Sequence, residues 1–333
     1  MKRSTLAAAL AVVGMMTAGC TSTSAEDETS QPTSSAAESS AFPTSVTGAL
    51  GTVTIDERPE RVVAMSWTDA DILLSLGVTP VAIGKAPNDA GVQPWTDELL
   101  GDGDRPAILQ GVNANVSIEE IAAQAPDLIV GTKSFGLDTQ YEQLSALAPV
   151  VHYAETPSAE TWQEATTRIA TALGIPERGT EVVEETEAAI ADSAAEHPAL
   201  AGKTYTFFVG PQPDSVYIVN STEDAGAKFL DQLGLTLTPF ATSQETSSVP
   251  GRALLSYENV ADTDADIIVA TSANDGLVIL EGQPAFASLD AIQRGAYVPL
   301  AATLAQSIAF PSPPSLDWAL GQIVPELDEA AQR

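Results

Sequence analysis

A stretch of seventeen residues occurs twice in this chain, and it limits the possible folds more than any other feature. Residues 116–132 align without a gap on residues 255–271, and seven of the seventeen positions are identical. In each copy a serine precedes a short helical segment, and an aspartate precedes an apolar run of strand length. A looser echo pairs Leu74–Val78 with Gln232–Leu235, where a Leu-Gly closes a helix. We therefore expect two halves of one design.

Strand and helix patterns alternate along the first half. Residues 45–55 alternate around a turn at Gly51 and predict a small hairpin. Arg61–Met65 and Pro80–Gly84 read as buried strands, and Thr68–Leu76 between them reads as a helix that Gly77 ends. This alternation is typical of an α/β fold with mainly parallel strands.

A long helix is predicted between the halves. Pro176 and Pro198 bracket a segment that contains no other proline, and Thr180 is the expected cap. Apolar and small residues form one helical stripe: Val182, Val183, Thr186, Ala189, Ile190 and Ser193. Such a helix is roughly 27 Å long. A stiff connection of this kind limits hinge motion, so we expect a cleft that changes modestly when a ligand fills it.

The N-terminus has the pattern of an export signal. Lys2 and Arg3 precede an apolar run that is too short to span a bilayer, and the run ends in Thr17-Ala18-Gly19-Cys20. The small residues before Cys20 predict a signal peptide over residues 1–19. The pattern resembles a bacterial lipobox, which implies lipidation of Cys20, although Thr17 stands where the lipobox more often has Leu. The alternative is an ordinary signal peptide with an incidental thiol. Two or more acyl chains would anchor the chain lastingly at the outer face of the cell membrane.

Residues 20–41 predict a flexible tether, because positions 21–41 contain eleven Ser or Thr and no Leu, Ile, Val or aromatic residue. The expected organisation is then an N-terminal lobe at 42–176, a linker helix at 177–198 and a C-terminal lobe at 199–333. Everything beyond the tether should be extracytoplasmic.

Charge and composition exclude several classes of function. The 14 Lys and Arg face 45 Asp and Glu, a formal charge of −31, so the molecule repels nucleic acid. One cysteine and two histidines allow neither an internal disulfide nor a Cys/His zinc cluster. The six tyrosines form no adjacent pair that would suit bare Fe³⁺. We expect no metal site formed by protein side chains, and a monomer.

An enzyme is not indicated. The sequence has no Gly-x-Ser-x-Gly elbow, no Gly-x-x-x-x-Gly-Lys-Ser/Thr loop and no His-Glu-x-x-His helix. The adjacent acids Glu119–Glu120 and Glu184–Glu185 do not face each other on a helix and are predicted to be solvated. A surface scaffold is a third class; it would explain the tether but not the duplicated halves.

Several short segments, in this order and spacing, resemble the iron-siderophore substrate-binding lipoproteins of ABC importers. They are Phe42-Pro43, Pro59–Trp67, Leu76–Val78, Pro94-Trp95, Ala125–Ile129, Tyr141–Leu144, Ala148–Val150 and Pro313–Leu320. The resemblance covers about residues 42–333. It implies the class III periplasmic binding protein fold, with two Rossmann-like lobes joined by a single long backbone helix. It also implies capture of a ferric siderophore in the cleft and delivery to a permease with a cytoplasmic ATPase, without catalysis.

Ligands of open α/β sheets bind beyond the carboxyl ends of strands, which nominates candidate contacts. Aromatic rings can pack on the flat faces of a chelate, and cations can bind its oxygen-rich rim. The predicted ligand residues are Trp67, Lys85, Trp95, Lys133, Phe135, Tyr217 and Arg252. For the two tryptophans a core role is the alternative, and for the two lysines a solvated surface. Trp318 is predicted to be core, on a stripe with Leu316, Leu320 and Ile323.

The resemblance further implies docking of the permease through one acidic residue on each lobe. Asp138, in the helix that contains Tyr141, and Glu281 are the predicted docking residues, with Asp275 as a substitute for Glu281. Surface charge without a role is the alternative. The negative field favours neutral or cationic chelates such as ferric hydroxamates over trianionic catecholates, unless a local Lys/Arg pocket reverses this. Haem or cobalamin is the alternative cargo.

Overall fold

The hairpin leads into a five-stranded sheet. In a computed structural model, which describes residues 41–111, 116–273 and 276–333, β1 (Thr44–Gly48) and β2 (Gly51–Ile55) form the antiparallel hairpin. The strands of the N-terminal sheet are β3 (Val62–Ala64), β4 (Ala82–Gly84), β5 (Ala107–Leu109), β6 (Leu128–Gly131) and β7 (Val150–His152). Their order is β5-β4-β3-β6-β7, and every pair is parallel. The predicted hairpin and strands are confirmed, with shorter bounds at β3 and β4.

Five helices flank this sheet: α1 (Trp67–Ser75), α2 (Pro94–Leu100), α3 (Ile118–Ala123), α4 (Leu137–Ser145) and α5 (Trp162–Ala172). The predicted first helix is confirmed, and it begins at Trp67, one residue earlier than expected. Its cap is Ser66, whose hydroxyl accepts a hydrogen bond from the Asp69 amide.

The second sheet is mixed. Its strands are β8 (Thr204–Val209), β9 (Ser215–Val219), β10 (Thr236–Leu237), β11 (Arg252–Ser256), β12 (Ile267–Thr271) and β13 (Tyr297–Leu300). The order is β11-β9-β8-β12-β13, with β10 beside the start of β8. Only β9 runs against its neighbours. An α/β fold with mainly parallel strands is therefore confirmed.

Seven helices accompany the second sheet. They are α7 (Ala225–Gln232), α8 (Pro239–Ser243), α9 (Leu277–Glu281), α10 (Pro284–Ala287), α11 (Asp290–Gln293), α12 (Ala302–Ala309) and α13 (Pro313–Ala331). Short 3-10 helices cover Pro198–Leu200 and Tyr257–Thr263. No helix among the described residues is both long and apolar enough to cross a bilayer.

The sequence repeat corresponds to a repeated structural device. Asp127 accepts hydrogen bonds from the amides of Glu60 and Arg61, at 2.8 and 2.9 Å, just before β3. At the matching position of the second copy, Asp266 accepts from the amide of Thr204 at 2.8 Å, where β8 begins. Each aspartate thus pins the first strand of a sheet beside the strand that it precedes itself. This is the physical basis of the pattern in the sequence.

Helix α6 (Pro176–Glu196) lies between the two sheets in the chain. The predicted helix is confirmed, but the predicted cap is wrong. Pro176 occupies the first turn, so the helix begins before Thr180, whose hydroxyl donates to the Pro176 carbonyl. Val182 belongs to the core of the N-terminal half, and Ile190 to the core of the C-terminal half. One helix therefore contributes to both cores.

Helix α13 makes a second connection between the halves. It packs against α6 and β13, and also against α1 and α2 of the N-terminal half. Leu316 and Ile323 are buried as predicted, whereas Trp318 is half-buried and faces α2. Residues 41–333 form one unit by contact density. The lobe boundaries at residues 176 and 198 therefore stay a prediction.

Candidate functional site

Trp67 lies where the two halves meet at the carboxyl end of β3. It is half-buried, and its ring centroid is 5.5 Å from that of Phe310, which follows α12. Phe310 is 45% exposed, so the pair presents aromatic surface to solvent. Sequence reasoning nominated Trp67 and missed Phe310. The signal was available, because Phe310 follows the first helix after the carboxyl end of β13.

A buried carboxylate supports the base of Trp67. Asp69 accepts hydrogen bonds from the hydroxyls of Ser66 and Thr132 at 2.6 and 2.7 Å, and from the Lys133 amide at 3.2 Å. Burial raises the pKa of Asp69, while these hydrogen bonds oppose the rise. The start of α1 and the loop after β6 are therefore tied together, which fixes the position of Trp67.

The loop after β6 contains two predicted ligand residues. Phe135 is 42% exposed and free to contact a ligand. Lys133 instead points its ammonium at the protein and donates to the main-chain oxygens of Pro157 (3.4 Å) and Glu160. Burial lowers the pKa of Lys133, and the charges of Asp69 and Glu160 counter that effect. The structure therefore gives Lys133 a role in holding the segment at 157–160.

Lys85 follows β4 and is half-buried. A side chain at Gly84 would collide with the main chain of Met65, so the end of β4 passes directly beside the end of β3. Lys85 makes no hydrogen bond or ion pair to another residue within 41–111, 116–273 and 276–333. The other predicted cation in this half, Lys133, has protein partners, so Lys85 is the one of the two whose charge can meet a ligand.

Trp95 is not placed at a ligand surface. It is only 3% exposed, its indole nitrogen donates to Asp71 at 2.8 Å, and its ring lies 5.2 Å from that of Trp318. The alternative role, packing inside the protein, is the one that the structure gives it. The prolines around it misled the sequence interpretation, because Pro94 begins helix α2 and not an open loop.

Asp71 joins the halves through a buried junction. Its carboxylate accepts hydrogen bonds from Trp95, from the Thr96 hydroxyl at 2.5 Å and from the Ser312 hydroxyl at 2.9 Å. Ser312 is the cap of α13, so the junction ties α1 and α2 to the start of that helix. Nearby, the Gln93 side chain donates to that of Gln306 at 2.8 Å. We call these contacts the Asp71 junction.

The C-terminal half presents one open sheet face. Tyr217 on β9 lies directly opposite Leu254 on β11, and Val209 of β8 is level with both. Leu254 is 48% exposed, while Tyr217 and Val209 are half-buried. Arg252 is two residues from Leu254 and thus projects from the same face. Tyr217 and Arg252 therefore lie on neighbouring strands, two positions apart in register, and their role as ligand residues stays a prediction.

Arg252 is not free. Its guanidinium is paired with Asp224 at 2.7 Å, and the two side chains are 17% and 18% exposed. Asp224 also caps α7 by accepting from the Ala227 amide at 3.1 Å. A Cβ at Gly226 would lie 3.5 Å from Ile308 of α12, two residues before Phe310. Helix α7, which Asp224 caps, thus packs against α12, the helix that Phe310 follows.

Two surface grooves lie elsewhere, both beside the hairpin. One, of about 430 Å³, lies between β2 and the end of α4; the other, of about 460 Å³, lies between β1 and α5. No predicted ligand residue lines either groove. Within the described residues, no cluster of three or more His, Cys, Asp or Glu could hold a metal ion.

The predicted docking acids are both exposed. Asp138 is in the first turn of α4, and Glu281 ends α9, where its carboxylate accepts from the Tyr297 hydroxyl at 3.0 Å. Asp275 and Cys20 lie outside the described residues. The repeat supplies another exposed pair. Glu119, which sequence reasoning took as solvated surface, and Glu258, which it did not consider, occupy equivalent positions, each two residues after its capping serine.

Comparison with known proteins decides the family. The model of the periplasmic binding protein family matches residues 62–301, which is more than half of the chain and includes both sheets. The chain belongs to this family. It is 28% identical over 249 residues to the probable siderophore-binding lipoprotein YfiY of Bacillus subtilis, covering 72% of each protein. It is 25% identical over 227 residues to the ferric enterobactin-binding periplasmic protein FepB of Escherichia coli, covering 65% of the chain and 69% of FepB.

Solved structures of family members agree. A periplasmic solute-binding protein of Mycobacterium smegmatis has a TM-score of 0.73 and 30% identity, covering 86% of this chain and 98% of that one. Streptococcus pneumoniae PiaA in complex with ferrichrome has a TM-score of 0.72 and 27% identity, with the same coverage. The predicted class III fold is confirmed, and the family is one of solute-binding proteins.

The Asp71 junction predicts a pH dependence of stability. Burial raises the pKa of Asp71 from 3.8 to about 6, against the hydrogen bonds from Thr96, Trp95 and Ser312. Because the pKa of Asp71 is higher in the folded than in the unfolded protein, Asp71 contributes most to the free energy of unfolding below about pH 3.8. This contribution is lost as pH rises through about 6. Relative to Asp71→Asn, the wild type should lose about 2 kcal/mol between pH 4 and 7. Urea unfolding at several pH values measures this difference.

The control is Glu98→Gln, which removes an exposed carboxylate from α2 of the same junction region. Its difference from the wild type should stay nearly constant with pH. A constant difference for Asp71→Asn as well would contradict the raised pKa.

Proposed function

We propose that this protein captures a ferric siderophore between its two halves and delivers it to an ABC importer. The observation that carries the proposal is the surface formed by Trp67 and Phe310 at the meeting of the halves, with Tyr217 and Arg252 beyond it. Flat aromatic rings and an oxygen-binding cation suit a chelate of this kind. The names of family members, YfiY and PiaA with ferrichrome, support the same cargo.

The iron is expected to arrive already enclosed in its chelator. Aromatic contacts of the kind that Trp67 and Phe310 offer act on the organic shell of a chelate and not on a bare ion. Haem and cobalamin remain the alternative cargoes. A scaffold without ligand is less favoured, because Phe310 at 45% and Leu254 at 48% leave apolar side chains exposed to solvent, where a ligand could cover them.

Ligand binding can be tested by quenching of tryptophan fluorescence. We expect a ferric chelate to quench the wild type saturably, with haemin, cobalamin and the iron-free chelator binding more weakly. Trp67→Ala and Phe310→Ala should each weaken binding about tenfold, because each removes half of the aromatic pair. Because Trp67→Ala has lost part of the tryptophan fluorescence, its affinities are measured by isothermal titration calorimetry.

Leu147→Ala is the matched control, since Leu147 is 39% exposed and lines the groove between β2 and the end of α4, which contains no predicted ligand residue. It should bind like the wild type. If no ferric chelate binds while haemin or cobalamin does, the cargo is wrong; if none binds, the scaffold reading replaces the proposal.

Docking to the permease is the second part of the proposal. The sequence-derived pair is Asp138 and Glu281, and the repeat-equivalent pair is Glu119 and Glu258. We favour the second pair, because equivalent positions in two similar halves present matched charges to a permease made of two similar bundles. Both pairs are exposed, so each can serve as the comparison for the other.

Charge reversal distinguishes the two docking pairs. We expect Glu119→Lys with Glu258→Lys to abolish chelate uptake by whole cells while the affinity of the purified protein is unchanged, because docking and ligand contacts are separate. The double variant Asp138→Lys with Glu281→Lys should retain uptake. Loss of uptake in the second variant alone would restore the sequence-derived pair, and loss of affinity in either would mean that the pair contacts ligand.

We also propose that Cys20 is lipidated and tethers the protein outside the cell membrane. Mass spectrometry of protein extracted from membranes should give a chain that begins at Cys20 and carries diacylglycerol. Cys20→Ser should leave the membrane fraction or keep its signal peptide, since the thiol is the acceptor. Thr17→Leu, which completes the more usual motif, should behave like the wild type. An unmodified mature chain would support the ordinary signal peptide.

A further inference from the structure

The cations that could meet a ligand differ in how far their charge is already compensated. Three cationic residues were nominated from the sequence: Lys85, Lys133 and Arg252. The ammonium of Lys133 donates hydrogen bonds to the carbonyls of Pro157 and Glu160. The negative charges of Asp69 and Glu160 also interact with it. Lys85 makes no ion pair in the described chain. The character of the site therefore depends on Arg252.

Asp224 holds Arg252 in a half-buried ion pair. The Nη1–Oδ2 distance is 2.7 Å, and less than a fifth of each side chain is exposed. Arg252 Nη1 also donates to its neighbour's carbonyl, that of Gly251, at 3.2 Å. Asp224 is held from its other side, because its second oxygen caps α7. Neither partner is a loose surface charge, and a ligand meets the pair as a nearly neutral unit.

We infer that Asp224 is a specificity-determining residue, which by neutralising Arg252 selects neutral or cationic ferric hydroxamates and disfavours trianionic ferric tris-catecholates. This rests on the proposed function. A trianion would meet Lys85, which has no ion pair among the described residues, and an arginine whose charge the Asp224 carboxylate already compensates. The overall charge of −31 adds to this repulsion. A neutral hydroxamate needs no countercharge and uses the aromatic pair and the sheet face.

Membership of the family leaves this choice open. The names of two relatives point to opposite chelate classes, ferrichrome for PiaA and ferric enterobactin for FepB. The first is a neutral hydroxamate complex and the second a trianionic catecholate complex. The selection must therefore come from the residues at the site, and Asp224 is the candidate because it sets the net charge beside Arg252.

The test is Asp224→Asn in the full chain. Asparagine still caps a helix well, so α7 keeps its cap while Arg252 loses its countercharge. We measure affinities for ferrichrome, ferrioxamine B and ferric enterobactin by calorimetry. The wild type should bind the hydroxamates at least tenfold more tightly than ferric enterobactin. In Asp224→Asn the affinity for ferric enterobactin should rise about tenfold, and that for ferrichrome should change less than threefold.

Glu223→Gln is the matched control. It removes the same charge one residue away, where Glu223 is 81% exposed and pairs with Lys228 at 2.9 Å. If only overall charge mattered, both variants would gain equally for the trianion, and the inference would be overturned. The gain in Asp224→Asn should also shrink as salt is raised and disappear when Arg252→Gln is added. Asp224→Ser, which also keeps a good cap, repeats the test should the asparagine variant fold poorly.

Two other results separate the inference from the function on which it rests. Preference of the wild type for ferric enterobactin, or no gain in Asp224→Asn, overturns the role of Asp224 and leaves siderophore binding intact. Failure of the wild type to bind any of the three chelates overturns the proposed function itself.

Discussion

The buried carboxylate of Asp71 holds the two halves in one arrangement. It collects a Trp95 indole and a Thr96 hydroxyl from α2 and a Ser312 hydroxyl from the cap of α13. A buried charge is tolerated only when it is fully hydrogen-bonded, so the three donors must stay in place together. Displacing α13 from the N-terminal half would leave this acid with an unmet acceptor. The meeting of Trp67 and Phe310 follows from that restraint.

Two connections between the halves make the site different from a simple hinge. Helix α6 contributes Val182 to one core and Ile190 to the other, and α13 crosses back to α1 and α2. Relative rotation of the halves would have to shear both helices against close-packed cores, which interiors at crystal-like density resist. We therefore expect a cleft surface that is largely formed before the ligand arrives, which favours a rigid cargo over a flexible one.

Periodicity and the repeat predicted the fold class. Each of their signals, which are strand alternation, helices that end at glycine and an aspartate before a strand, lies within a short stretch of sequence. Trp67 was found for the same reason, since it follows a recognisable strand.

Long-range partners were not predictable. Nothing near Trp95 in the sequence reveals Asp71, and nothing near Arg252 reveals Asp224, 28 residues earlier. Phe310 was missed because its significance depends on a ring from the other half. The start of α6 was predicted wrongly. Thr180 is a good helix cap, but Pro176 also fits the first turn of a helix, and the helix begins there.

The matched aspartates, Asp127 and Asp266, lie at the amino ends of their strands, whereas the ligand surface uses mostly the carboxyl ends. The residues that fix the strands and the residues predicted to contact the ligand thus lie at opposite ends of the same sheet. Evolution can exchange residues at one rim without disturbing the other, much as loops diversify above an unchanged framework. A lineage that duplicated such a unit could therefore change the residues at the carboxyl ends of each copy separately.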